Sequence, residues 1–217
     1  MSDRGPPSGP DLAPGRPLIV CDADEVLLQF LGGLEAYLPG QGLYLDLAGY
    51  ALTGSIRRAG TGEPLPQAEV GPLIKAFHAT AGLDLRPVAG AAEALSGLAA
   101  HAQIVILTNV ADELAAARRA NLAGHGMDYP VVPNAGLKGA AVAALAGRAG
   151  APVFFIDDIP HHHASVAEAV PGAHQIHFVA DERLFRLATA SPHAGLFTSN
   201  WAEAAAHIHD TLKTGGG

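Results

Sequence analysis

A rhythm constrains this chain most: short apolar, β-branched runs alternate with longer Ala-rich stretches of helical composition. Five runs read as strands, namely Leu18–Cys21, Gln103–Leu107, Pro130–Val132, Pro152–Ile156 and the more polar Gln175–Phe178. Between them, residues 89–100, 112–122, 137–149, 160–170 and 181–187 read as helices, and 201–212 closes the chain. Such alternation is the pattern of parallel strands joined by helical crossovers, so the predicted fold class is α/β, a parallel sheet flanked by helices.

One interval breaks the rhythm. From residue 27 to 86 no strand-like run appears, and apolar residues recur at helical spacing in "FLGGLEAYL" (30–38) and "VGPLIKAFHA" (70–79). The pattern predicts an inserted all-helical unit, divided by the Gly- and Pro-rich interruptions at 38–42 and 59–67. The expected organisation is a disordered arm over 1–14, a core built from 15–26 and 87–213, and a cap over 27–86. Open parallel sheets bind ligands beyond the carboxyl ends of their strands, and an insertion leaving directly after the first strand is placed to act as a lid there.

Composition narrows the partners. Thirteen Lys and Arg stand against 21 Asp and Glu, a net charge of −8, with no basic run. Nucleic-acid and anionic-membrane surfaces depend on clustered cations, so neither is expected. No apolar run approaches the length of a membrane span or of a signal peptide's hydrophobic region. Cys21 is the single cysteine; with no internal disulfide possible, a reducing, cytoplasmic setting is expected.

The chemistry gathers at strand ends. The stretch "LIVCDADEVLLQF" sets Asp22, Asp24 and Glu25 directly behind the first strand. Crowded carboxylates repel, and burial raises the cost of each unless something positive relieves it. The second strand ends in Thr108-Asn109 and the fourth in Asp157-Asp158, so three strands deliver polar groups to one rim. Lys138, in "GLKGAAVAAL", falls in the first turn of a helix on that rim, where a cation opposes the helix dipole, which points to an anion nearby. Asp22, Asp24 and Asp158 can offer oxygens to Mg²⁺, whose ligands are carboxylates, waters and phosphate oxygens. Asp22 is then placed to attack phosphorus and Asp24 to protonate the leaving oxygen and later activate water, while Thr108 and Lys138 hold the phosphoryl group.

Other candidates read more plainly. His161, His162 and His163 are consecutive, and consecutive helical residues point about 100° apart and cannot converge on one ion. With Pro160 as the first helical residue they belong to the first turn, near the rim. In the cap, Tyr44, Thr53, Arg57, Arg58 and His78 are candidates for substrate contact, though each taken alone reads as a solvated or packing residue, and Trp201 reads as packing the last helix.

Taken in order, "CDADEVL", "ILTN", "GLKG" and "FFIDD" resemble the four motifs of the haloacid dehalogenase-like (HAD) superfamily of hydrolases, over about Leu18 to Leu212. The resemblance implies a Rossmann-like core with a helical cap between the first and second motifs. It also implies Asp22 as nucleophile, Asp24 as general acid and base, and Thr108 and Lys138, with Asn109 alongside, as phosphate binders. Asp157 and Asp158 become metal acids beside Asp22 and Asp24, with Asp158 the direct ligand, and the cofactor is Mg²⁺. Glu25 stands where the family often has Gly, and Val26 where Thr is common. The implied activity is a Mg²⁺-dependent phosphatase for a small phosphorylated metabolite. Its alternatives are a 2-haloacid dehalogenase, a class that lacks the second acid and needs no metal, and a non-enzymatic phosphoacceptor or binding protein. Receiver-type phosphoacceptors place the paired acids before the Lys, the reverse of the order here.

Overall fold

A computed structural model describes residues 9–214. Its centre is a six-stranded, all-parallel sheet. In chain order the elements are β1 (Leu18–Cys21), α1 (Phe30–Tyr37), β2 (Leu43–Leu45), β3 (Ile56–Arg58), α2 (Gln67–His78), α3 (Ala91–Leu98), β4 (Gln103–Thr108), α4 (Ala115–Gly124), β5 (Val131–Pro133), α5 (Gly139–Ala149), β6 (Val153–Asp157), α6 (Pro160–Ala169), β7 (His174–Phe178), α7 (Glu182–Leu187), β8 (Leu196–Thr198) and α8 (Trp201–Thr214). The sheet order β5-β4-β1-β6-β7-β8 puts β1 between β4 and β6, so the three strands that carry the acidic and Thr motifs are neighbours.

The period-2 alternation of each strand feeds two cores. Ile19 and Cys21 of β1, with Ile104, Ile106, Phe154 and Ile156, face Leu95 and Leu98 of α3 and Trp201 and Ile208 of α8. Leu18 and Val20, with Val105, Leu107 and Phe155, face Val142 and Leu145 of α5 and Val166 of α6. Covered on both faces, the central strands read as unbroken apolar runs, which is why their positions were legible. The α/β parallel-sheet expectation is borne out. An edge strand, β8, was not foreseen; three residues, Leu-Phe-Thr, carry too little alternation to register.

Two expectations need correction. Residues 27–86 are not all helical: β2 and β3 pair antiparallel as a ribbon within the insertion, Tyr44 opposite Arg57. Each strand has three residues, so neither shows a period in the sequence. The expected disordered arm spans 1–14; residues 1–8 lie outside the described residues, and 9–14 lie ordered against the core. Leu12 is only 9% exposed, Ala13 exchanges hydrogen bonds with the Gln103 amide, and Arg148 donates to the Pro10 carbonyl. No helix among the described residues is long and apolar enough to cross a membrane.

The chain leaves the core after β1 and returns before α3 along adjacent paths. Gln29 N–H donates to Arg86 O at 2.9 Å and Val88 N–H to Leu27 O at 2.8 Å. Trp201, 1% exposed, fixes the same junction by donating from its indole N–H to Val26 O at 2.9 Å. The insertion is therefore anchored within a few residues of Asp22.

Candidate active site

Asp22 follows β1, and its N–H continues the ladder by donating to Ile156 O at 2.8 Å. Asp157 ends β6 and Thr108 ends β4. Lys138 caps α5 at its N-terminus. The next residue, Gly139, lets this end of α5 press against α6, since a Cβ there would overlap the Ser165 carbonyl. The close packing carries Lys138 inward until its ammonium is fully buried.

There Lys138 Nζ lies 2.7 Å from Asp22 Oδ1 and 2.7 Å from Asp157 Oδ2. Ala23 N–H also donates to Asp22 Oδ1, at 2.8 Å, and Ile159 N–H to Asp157 Oδ1, at 2.9 Å. Both oxygens of Asp157 are thus engaged, whereas Asp22 Oδ2 has no protein donor among the described residues. Asp158 completes the cluster: one carboxylate oxygen each from Asp22, Asp157 and Asp158 lie within 4.8 Å of one another.

One ammonium among three carboxylates leaves an excess of two negative charges when all are ionised. Burial pushes the Asp22 carboxyl up to about 7, Lys138 opposing and Asp157 and Asp24 adding to the rise. Burial, then the charges of Asp157 and Asp22, push Asp158 well above the usual carboxylate range. Burial alone would discharge Lys138, but Asp157 and Asp22 outweigh it and hold the ammonium more firmly than usual. The sharing is unequal: the cation is secure and its carboxylate partner is not. Three hard oxygens in want of positive charge are a donor set that fits Mg²⁺.

Asp24 departs from its expected place. Its side chain is not in the cluster but in an ion pair with Arg118 of α4, Nη2 standing 2.9 Å from Oδ1 and donating at 3.3 Å to Oδ2. The departure follows from the turn: Asp24 stands three residues after the end of β1, and its side chain is directed to α4. Arg118 is 3% exposed and also reaches His78 Nδ1, at 3.3 Å, at the end of α2 in the insertion. Sequence reasoning missed Arg118; the pair "RR" in "AAARRANL" was the only sign, and its second member, Arg119, is a surface partner of Asp128.

Thr108 is fully buried, with no hydrogen-bond partner for its hydroxyl among the described residues. The exposed Asn109 braces a loop: it donates to Gly136 O at 3.0 Å and accepts from Asn134 at 2.7 Å. The histidine run splits as helical geometry requires. His163 is fully buried, its Nε2 3.0 Å from Asp157 O. His177, on β7, accepts from Ser191 N–H at Nδ1, so its Nε2 carries the hydrogen donated to Asp158 O at 2.8 Å. These two imidazoles hold the backbone of the acidic pair. His161 and His162 face the cavity, and burial pulls His162 down to about 4.

Above the cluster a cavity of about 480 Å³ opens between core and insertion, with Asp22, Asp24 and Asp158 in its lining. The insertion contributes Phe30, Leu52, Thr53 and His78, and Tyr50, whose hydroxyl reaches Asp158 O and lies 3.0 Å from Asp158 Oδ2. Of the residues named from sequence, Thr53 and His78 line the cavity. Tyr44 is 39% exposed on the ribbon, Arg57 pairs with Asp46 at 2.8 Å, and Arg58 pairs with Glu69 at 2.9 Å, all three outside the lining.

No protein-family model matches the sequence, and no curated protein matches it significantly. Solved structures do. A haloacid dehalogenase-like family hydrolase from Streptococcus pneumoniae superposes with a TM-score of 0.59 at 11% identity, covering 88% of this chain and 97% of that one. The fold is that of the HAD-like hydrolases. The L-2-haloacid dehalogenase of Xanthobacter autotrophicus gives 0.57 at 16% identity, covering 88% and 98%. A predicted phosphoglycolate phosphatase from Haemophilus somnus gives 0.56 at 15%, covering 88% and 97%. In the HAD-like fold of this chain, the acidic cluster sits at the carboxyl ends of β1 and β6 beneath the insertion.

Proposed function

We propose that this chain is a Mg²⁺-dependent phosphatase that hydrolyses a small phosphorylated metabolite through an aspartyl-phosphate on Asp22. One observation carries the reading: three clustered carboxylates have beside them a single buried ammonium, which pairs with two of them, Asp22 and Asp157, and leaves Asp158 without a cation partner among the described residues. A 2-haloacid brings a carboxylate of its own and no cation, so it would add to the repulsion. A phosphate monoester bound with a divalent ion meets a site whose charge is balanced.

Asp22 and Asp158 would hold the ion directly, with Asp157 behind them fixing Lys138. Bound Mg²⁺ supplies positive charge that neutralises the cluster and polarises the phosphoryl oxygens. Lys138 and the Ala23 N–H fix Asp22 Oδ1, which leaves Oδ2 to attack phosphorus. As the bond to the ester oxygen breaks, Asp24, which must enter this step protonated and so released from its ion pair with Arg118, gives that oxygen its proton. Asp24 then takes a proton from water, whose oxygen attacks phosphorus and releases phosphate and free Asp22. The Thr108 hydroxyl and the Lys138 ammonium favour the charge that develops on the phosphoryl group. The insertion excludes bulk water, Tyr50 closing it onto Asp158.

The test is hydrolysis of p-nitrophenyl phosphate. Turnover with Mg²⁺ that stops with EDTA supports the reading; halide release from a 2-haloacid in the presence of EDTA would replace it with the dehalogenase.

A further inference from the structure

The cavity above Asp22 has walls that select a leaving group. Among the described residues no Lys or Arg lines it, while four carboxylates do, those of Asp22, Asp24, Glu25 and Asp158. The two cations nearby are already committed, Lys138 to Asp22 and Asp157 and Arg118 to Asp24. An additional carboxylate or phosphate on the substrate would be buried among like charges with no counter-charge, the costliest placement for an ion.

Most polar groups in the lining are equally committed. Both oxygens of Glu25 accept backbone N–H groups, from Leu31 at 2.8 Å and Asp181 at 2.7 Å. Tyr50 is turned to Asp158, Asn109 to Gly136, and His78 to Arg118. A sugar, with several hydroxyls to satisfy, would leave most of them unpaired, each at a cost in binding. Thr53, His161 and His162 are the polar side chains left to meet a hydroxyl, too few for a sugar, and the rest of the lining is apolar: Phe30 and Leu31 of α1, Leu52 of the insertion, Ile159 and Leu184 of the core. Phe30 stands at one wall beside the His78 imidazole, centroids 5.6 Å apart and inclined at 37°, so a third ring can pack there. At about 480 Å³ the space takes a phosphoryl group and one ring-sized substituent.

We infer that the substrate is the phosphate ester of a small, uncharged, largely apolar alcohol of aryl or arylmethyl type, and that phosphorylated acids, bisphosphates and sugar phosphates are excluded. The inference rests on the phosphatase reading for turnover, but its selectivity is a property of the walls. Benzyl phosphate and phosphoglycolate, both esters of primary alcohols, differ in the part that meets those walls.

With Mg²⁺ present, kcat/KM for benzyl phosphate should exceed that for phosphoglycolate by roughly 10²-fold, the worth of burying one aromatic ring. Glucose 6-phosphate should fall with phosphoglycolate. Leu52→Arg, which places a cation in the wall, should narrow the ratio at least about tenfold. Equal or better turnover of phosphoglycolate or glucose 6-phosphate by the unaltered protein overturns the inference and leaves the phosphatase reading standing. Titration of the Mg²⁺-loaded protein with benzylphosphonate and phosphonoacetate reads the walls without turnover. Preference for benzylphosphonate with no hydrolysis of any ester upholds the selectivity and removes the phosphatase. Absence of that preference, including failure of both to bind, overturns the inference.

Discussion

Arg118 Nη2 stands 2.9 Å from Asp24 Oδ1, joining α4 to the turn after β1 across 94 residues of sequence. The guanidinium is nearly fully buried, and its Nε and Nη1 have no partners among the described residues. Among the described residues Asp24 is its one ion-pair partner. Asp24→Asn should slow turnover by about 10²-fold, the scale of general acid–base assistance. It should also cost roughly 3 kcal/mol of stability, because a buried cation loses its partner. Adding Arg118→Met to Asp24→Asn should recover most of the stability and none of the rate. Denaturant unfolding and p-nitrophenyl phosphate turnover of the unaltered protein and the two variants separate the two effects; recovery of rate in the double variant would remove Asp24 from proton transfer.

Asp22→Asn should abolish turnover with the fold intact, and in metal-free protein it should raise stability at alkaline pH. The unaltered carboxyl, pushed by burial from 3.8 to about 7, binds its proton more tightly folded than unfolded. Its contribution to stability is complete below about pH 3.8 and is lost as pH rises through about 7. Asn carries no such loss. In EDTA the variant should therefore melt several degrees above the unaltered protein at pH 8, and the gap should close towards pH 5. A gap that widens on acidification would contradict the burial of Asp22.

How far the sequence revealed the site depended on whether a residue's environment is local. Asp22, Asp157 and Lys138 were legible because strand ends and a helix start fix where they sit, and those boundaries were plain in apolar runs covered on both faces. Arg118 was not, since nothing near it in the chain distinguishes it from Arg119; the difference is a fold-level contact to Asp24. Tyr44 and Tyr50 look alike in sequence, and the ribbon decides which one is turned outward and which meets Asp158. Residues 9–14 read as disordered from Gly and Pro content, which does not register one buried Leu12 and the side-chain amide of Gln103.

Mg²⁺ should stabilise the protein through the same cluster. At 100-fold over its dissociation constant a ligand selective for the folded state adds about 2.7 kcal/mol. For a chain of this size that is a melting shift of roughly 5–10 °C. Asp158→Asn should remove most of the shift, while Asp46→Asn, at the exposed ribbon partner of Arg57, should leave it. Because Asp22 must lose its proton to ligate, the apparent affinity should weaken as pH falls below about 7. Thermal melts across a Mg²⁺ series at pH 6 and pH 8 measure both effects, and a shift indifferent to Asp158 would place the ion elsewhere.

Glu25 is the one non-glycine residue among those described with positive φ, at 61°. That conformation costs a side chain about 1–2 kcal/mol, which is reason enough for glycine at such a turn. Here the carboxylate repays the strain by accepting from Leu31 N–H at the start of α1 and from Asp181 N–H at the start of α7, so one side chain fastens insertion and core together. Burial pushes its carboxyl from 4.5 up to about 7, the two N–H bonds pulling the other way, so its contribution to stability is complete below about pH 4.5 and is lost as pH rises through about 7. Glu25→Ala keeps the strain and loses both bonds; Glu25→Gly loses the bonds but sheds the strain. Both should be less stable than the unaltered protein at pH 5, where the contribution of Glu25 is largely retained, Gly by about 1 kcal/mol less than Ala. Denaturant midpoints of the two variants give the comparison directly, and a glycine variant equal to or weaker than alanine would show that the turn stores no strain.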